Sequence, residues 1–336
     1  VSTAASLRPT TGAVRLTGAG HLAFDRVEVP APGPGEVLVA ITAVGLCGTD
    51  LAVRSGARAV PALPWTLGHE GGGRVVATGP GVDPGRAGEV VAVEPNIGCG
   101  ACRFCADGRT SACARRRSLG VNAPGLLAGY VAVPAGHAHP LPPGIAPDLA
   151  ERVVACVEPW VVTRAAVRRA GPRAGTRCLV VGAGSQGTLL CLTLRAAGIT
   201  PVVAEPHEGR RRRALELGAE PFEPGETFGT VFETSGAPGA WSTARDAVDR
   251  AGTLLLIGQH DGPSEVNTHD LVQRQVTITG SLIYDHPGDF TAALAELPGV
   301  ADRLAGLMEP EPFRFDRAAA AFDAVAEAGG KVWLAP

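Results

Sequence analysis

The stretch that most restricts the fold is Cys178-Leu179-Val180-Val181-Gly182-Ala183-Gly184-Ser185-Gln186-Gly187. A short apolar strand runs into G-x-G-x-x-G, and an apolar helix through Leu189, Leu190, Leu192 and Leu194 follows. In such a turn one glycine allows the tight bend, one lets backbone approach a pyrophosphate and one lets the helix pack closely, with the phosphates at the helix N-terminus. Gly182, Gly184, Ser185, Gln186 and Gly187 are therefore candidate dinucleotide contacts. The bare motif is weak evidence, but here its flanks fit. The next strand, Val202-Val203-Ala204, ends in Glu205, 23 residues after Gly182, where an acidic side chain would hold the adenosine ribose hydroxyls. That favours NAD over NADP. Arg210 opens a run of four arginines, residues 210–213, which would either neutralise a 2′-phosphate or form a charged helix face ahead of Leu215 and Leu217. Strand patterns at 230–234, 252–258 and 276–283, with a helix over 241–248 between the first two, extend the alternation into a parallel, doubly wound sheet.

The first half of the chain has a different texture. From Val14 to Ile41 short alternating strands are broken by Pro30, Pro32, Gly33, Pro34 and Gly35, as in an antiparallel β unit. Two short motifs then bring metal-binding residue types: Cys47-Gly48-Thr49-Asp50 and Gly68-His69-Glu70. Thiolate, imidazole and carboxylate suit Zn²⁺, and three protein ligands leave a fourth position open, as catalysis requires. The Thr49 hydroxyl, two residues from the cysteine, would lie beside whatever oxygen binds there. Cys99, Cys102, Cys105 and Cys113 make a C-x2-C-x2-C-x7-C lobe. Four thiolates close a tetrahedral shell, the mark of a structural zinc site, although an iron–sulfur cluster takes the same donors. Arg103, Arg109 and the run 115–117 either soften that negative charge or are solvated surface. Glu158, just ahead of Pro159, is a further zinc ligand or merely the cap of a following helix, since proline is favoured in a first turn.

The 336 residues suffice for two domains. A formal net charge of −3 without long charged blocks favours neither nucleic acid nor an anionic membrane as partner. The apolar runs are strand-length, far below the roughly 20 residues of a membrane span. The first eleven residues show no secretory signal pattern, and crowded cysteines in a reducing compartment read as metal ligands. The expected location is cytoplasmic. Arginine nearly replaces lysine, Lys331 being the only one.

Taken together these motifs resemble the zinc-dependent medium-chain dehydrogenases, the group of alcohol, sorbitol, butanediol and threonine dehydrogenases. The match runs from Pro30-Ala31-Pro32-Gly33-Pro34-Gly35-Glu36-Val37 to the last strand, with the motifs in the family's order. The resemblance implies an α/β fold: a GroES-like, β-rich catalytic domain over 1–160 with a structural zinc lobe at 95–118, a Rossmann domain over 161–287, and a return to the catalytic domain over 288–336. It implies a catalytic zinc held by Cys47, His69 and either Glu70 or Glu158, a structural zinc on the four cysteines, and a nicotinamide cofactor. The expected reaction is reversible oxidation of a secondary alcohol of polyol, aminocyclitol or diol type, with a small-molecule substrate and a homodimeric or homotetrameric enzyme. A 3-hydroxy amino acid substrate and a non-enzymatic, nucleotide-sensing role are the alternatives. Three positions depart from the family pattern. Ala52 stands where a histidine often ends the proton relay, so Thr49 would pass its proton to water. Arg54 replaces a common aromatic, as a pocket residue or plain surface, and Trp160 with Arg164 follow Pro159 where smaller or aliphatic residues are usual.

Overall fold

The computed structural model describes residues 9–260 and 262–336. The N-terminal stretch read above as lacking a secretory signal falls mostly outside them. Contacts divide the chain into two units, one running to Glu158 and resuming over Asp285–Pro336, the other comprising Pro159–Tyr284. The divisions lie two or three residues before those expected from the sequence.

In chain order the first unit supplies β1 (Thr10–Gly18), β2 (His21–Glu28), β3 (Glu36–Gly45), α1 (Gly48–Ser55), β4 (Trp65–Thr66), β5 (Glu70–Thr78), β6 (Val90–Val93), β7 (Asn96–Ile97), α2 (Arg103–Ala106), β8 (Arg117–Ser118), β9 (Tyr130–Pro134) and β10 (Ala138–Pro140). Helix α3 (Pro147–Ala170) carries the chain onward. The second unit contains β11 (Arg177–Val181), α4 (Ser185–Ala196), β12 (Thr200–Ala204), α5 (Glu208–Glu216), β13 (Glu220–Pro221), β14 (Phe228–Glu233), α6 (Pro238–Ala247), β15 (Val248–Leu256), α7 (Thr268–Arg274) and β16 (Thr277–Gly280). The return adds α8 (Gly288–Glu296), α9 (Ala301–Gly306), β17 (Phe313–Arg314), α10 (Ala318–Ala324) and β18 (Trp333–Ala335).

In the first unit β3 is the hub. It pairs antiparallel with β5, β9 and β18, and the sheet continues through β6 to β10 on one side and β17 on the other. Alternation, shifted by an irregularity between Ile41 and Ala43, decides its faces: Val37, Val39, Ile41 and Val44 enter one core with Val14, Leu67 and Leu127. This pairing brings the end of β3, the start of β5 and β18 together, Gly45 lying opposite both Glu70 and Trp333. Both metal-type motifs of the first half begin at that edge.

The second unit is a six-stranded parallel sheet in the order β13-β12-β11-β14-β15-β16. Strand β11 is apolar at nearly every position because both of its faces are covered. Cys178 and Val180 point into a core with Leu190 and Leu194 of α4, while Leu179 and Val181 point into another with Ala240 and Ala244 of α6. Strand order reverses between β11 and β14, the point where sheets of this kind bind ligands at their carboxyl ends.

One expectation is corrected here. Pro159 starts no helix; it lies inside the 24-residue α3, so the capping alternative for Glu158 fails. Proline has no N–H for the carbonyl one turn back, and α3 continues through that missing bond.

Candidate active site

Cys47 precedes α1, and its backbone N–H donates to Asp50 Oδ2 at 3.0 Å, which fixes the first turn. Gly68 adopts φ +90° just before His69, and a Cβ there would lie 2.8 Å from the Leu127 side chain, so the turn that aims His69 requires glycine. The second oxygen of Asp50 accepts the Gly68 amide at 3.1 Å and lies 3.5 Å from His69 Nδ1. Asp50 thus ties the two motifs together, and the ligand-type atoms of Cys47, His69 and Glu70 all lie within 4.8 Å of one another. A thiol, an imidazole and a carboxylate converging this closely suit a zinc ion. Burial disfavours the imidazolium, but the Asp50 carboxylate outweighs it and holds the His69 pKa well above its ordinary value. Burial likewise pushes Asp50 up, while His69 and the amides of Cys47 and Gly68 bring it below the usual carboxylate range. A carboxylate behind a histidine orients the ring and raises its basicity as a metal ligand.

Glu70 is buried and ion-paired with the Nζ of Lys331, which also donates to the Leu46 carbonyl at 3.2 Å. Burial alone would lower the lysine pKa, yet Glu70 and Cys47 keep it above its ordinary value. Neither Asp50 nor Lys331 was singled out from the sequence; only the Asp50 position beside Cys47 gave any signal. Glu158 is buried on α3 but does not join the group within 4.8 Å. Thr49 and Ala52 both lie on α1, partly exposed. Arg54 turns away to pair with Asp323 at 2.7 Å and to lie over the Phe322 ring, which favours its surface reading. Trp160 is 2% exposed with the Arg164 guanidinium over its ring, a core residue in its own unit.

The four lobe sulfurs also lie within 4.8 Å of one another. The Ala101 amide draws the Cys99 thiol down to about 6, and desolvation pushes Cys105 up to about 11. A cation bound there would hold both as thiolates. Arg115 donates to Cys99 Sγ at 3.3 Å, whereas Arg103 and Arg109 flank the Phe104 ring. Only the first of them bears directly on the sulfur charge.

In the second unit the glycine loop has the shape a pyrophosphate needs. Gly182 has φ +94°, nothing lies within 4 Å of a Cβ built on Gly184, and one built on Gly187 would be 2.0 Å from the Gly182 carbonyl oxygen. Ser185 opens α4, and Gln186 Oε1 in its first turn is buried without a hydrogen-bond partner. Glu205 accepts the Ala183 amide at 2.7 Å and the His207 amide at 2.8 Å, and Arg210 approaches it at 3.3 Å. Burial would raise its pKa, but these donors hold it below the usual range. Arg211 caps the Glu205 carbonyl at 3.1 Å, so the arginine run does begin close to the acidic residue. Beyond β14 and β15, Gly236, Ala237, Gly258 and Gln259 line a cavity of about 370 Å³.

Residues 33–143 match the alcohol dehydrogenase GroES-like domain, and residues 187–298 match the zinc-binding dehydrogenase domain. L-threonine 3-dehydrogenase of Pyrococcus furiosus is 36% identical over 73% of this chain and 75% of its own length. L-galactonate-5-dehydrogenase of Escherichia coli K12 is 30% identical over 78% of this chain and 80% of its own. The crystal structure of an alcohol dehydrogenase of E. coli CFT073 complexed with NADH superposes with a TM-score of 0.89 at 25% identity, covering 98% of this chain and 100% of that one. The chain belongs to the medium-chain zinc-binding dehydrogenases, with their GroES-like and Rossmann-like folds. The non-enzymatic alternative is set aside, since both family models are those of dehydrogenases and the two relatives described above are dehydrogenases by name. No helix among the described residues is long and apolar enough to cross a membrane.

Proposed function

We propose that the chain is a zinc-dependent, NAD-linked dehydrogenase that oxidises a small secondary alcohol bearing a second polar group next to the carbinol carbon. The observation that carries the reading is the convergence of Cys47, His69 and Glu70 within 4.8 Å, with Asp50 behind the histidine. When bound, zinc would supply Lewis acidity toward the substrate oxygen and a nicotinamide would supply the hydride acceptor. Cys47 and His69 would hold the metal, and Asp50 fixes the imidazole. Glu70, whose charge is balanced by Lys331, is the carboxylate at the metal, and Glu158 stands outside that group. Thr49 accepts the substrate proton and passes it to water, because Ala52 offers no base. The unit containing these residues is the catalytic domain, and the unit from Pro159 to Tyr284 is the dinucleotide domain. There Gly182, Gly184, Ser185, Gln186 and Gly187 hold the pyrophosphate, and Glu205 with Arg210 meets the adenosine ribose. The cysteine lobe holds a structural zinc. The enzyme works in the cytoplasm as a dimer or tetramer.

Two relatives support this substrate class: their named substrates, threonine and galactonate, both carry a polar group beside the reacting hydroxyl. A panel of L-threonine, L-galactonate, sorbitol, 2,3-butanediol and aminocyclitols, followed by NADH absorbance, tests it. Turnover confined to simple monofunctional alcohols would overturn the substrate class. NAD⁺ should give the higher kcat/KM, because a 2′-phosphate would sit beside the buried Glu205 carboxylate; equal or better values with NADP⁺ would reverse that preference.

A further inference from the structure

Three ionisable side chains that neither zinc site uses meet elsewhere in the first unit. Glu94 follows β6, His139 lies on β10, and His286 stands just after the chain re-enters the unit at Asp285. The pairing of Ala138 with Val93 and of His139 with Ala92 sets the first two side by side. The ligand-type atoms of the three residues lie within 4.8 Å of one another. His139 Nε2 and His286 Nδ1 both approach the same Glu94 oxygen, Oε2, at 2.6 and 2.7 Å. The carboxylate is fully buried, and the histidines are 11% and 27% exposed.

Two features separate this cluster from a closed hydrogen-bond network. The other Glu94 oxygen, Oε1, is buried with no hydrogen-bond partner, and so is Nε2 of His137, whose ring stacks on His286 at 4.3 Å. A polar network that served only itself would not leave two buried atoms unsatisfied, since each costs about 1–3 kcal/mol. The histidines are also held in place: His139 stacks on Phe290 at 4.6 Å, and the His286 amide donates to Thr110 Oγ1 at 2.7 Å.

We propose that Glu94, His139 and His286 form a third metal site, one that takes Zn²⁺. Two imidazoles and one carboxylate are a zinc donor set, with a fourth position left for water. Ligands around a tetrahedral zinc stand about 3.4 Å apart, so the two nitrogens need withdraw from Oε2 by less than 1 Å. Each ring proton moves to the other ring nitrogen or to solvent when the metal replaces it. The bound ion would clip the returning chain to β6 and β10, next to the cysteine lobe, whose Ser111 amide already donates to Asp285 at 3.0 Å.

The full chain is saturated with ZnCl₂, passed through gel filtration in metal-free buffer, and its zinc counted by native mass spectrometry. The double variant His139→Gln/His286→Gln should retain one zinc fewer per chain than the wild type. Equal counts would overturn the proposal. Should the variant fail to fold, crystals of the zinc-saturated wild type decide. An anomalous peak at the zinc edge among Glu94, His139 and His286 supports the site, and its absence there overturns it.

Discussion

Lys331 and Glu70 illustrate what a single side chain contributes. The lysine is 5% exposed and its ammonium is compensated by a carboxylate that is 1% exposed. Removing one partner of such a pair leaves an uncompensated buried charge, which costs about 3–5 kcal/mol. Lys331→Met should lower stability by that order, measured as the urea unfolding free energy of the catalytic unit; a change below 1 kcal/mol would show that solvent or a bound metal compensates Glu70. Asp50 acts through His69. Losing a carboxylate behind a metal-bound histidine typically costs 10–100-fold in metal affinity, so Asp50→Asn should lose zinc to a competing chelator at correspondingly lower chelator concentration while the cysteine lobe keeps its metal. In the proposed reaction Thr49 takes the substrate proton. Thr49→Val should lower kcat by roughly 10²-fold, as expected of a positioned proton-transfer group, and full retained activity would move that role to a carboxylate such as Glu70.

At the scale of elements, the β11–loop–α4 unit was legible in the sequence because everything it needs is consecutive: a strand covered on both faces, three glycines and an apolar helix. Where the loop meets the helix, at Gly187, there is no spare room. Gly187→Ala would press a methyl group to 2.0 Å from the Gly182 carbonyl, an overpacking strain of about 1–3 kcal/mol. NADH affinity by calorimetry should fall about tenfold or more, with zinc content unchanged; unaltered affinity would mean that α4 can shift without disturbing the loop. The cysteine lobe was readable for the same reason, since the spacing of its four ligands is a local property, whereas Cys47 and His69 were readable only as two separate motifs that Asp50 joins in the fold. Other features were not. The Lys331–Leu46 contact joins residues 285 positions apart, and Glu94, His139 and His286 come from strands and a re-entry point that no periodicity links. Pro159 misled because the preference of proline for a first turn is a local rule, and the packing of α3 overrode it.

The whole molecule is a chain that leaves one unit at Glu158 and returns to it at Asp285. The catalytic unit therefore depends on residues at both ends of the sequence, and Lys331, from the last few, reaches back to the first metal motif. Lysine occurs only once in the chain, and that single side-chain amine is enclosed. An amine-acylating reagent would consequently find no lysine to modify while the catalytic unit stays closed. Mass spectrometry of the C-terminal fragment should show Lys331 unmodified in native buffer and acylated in urea, with a midpoint that reports the opening of this unit alone. Labelling in native buffer at the rate of a free amine would contradict the burial. The sparse use of lysine, which says nothing about the chemistry when read as composition, makes the ion pair behind Glu70 a built-in, residue-specific gauge of whether the metal-binding core is intact.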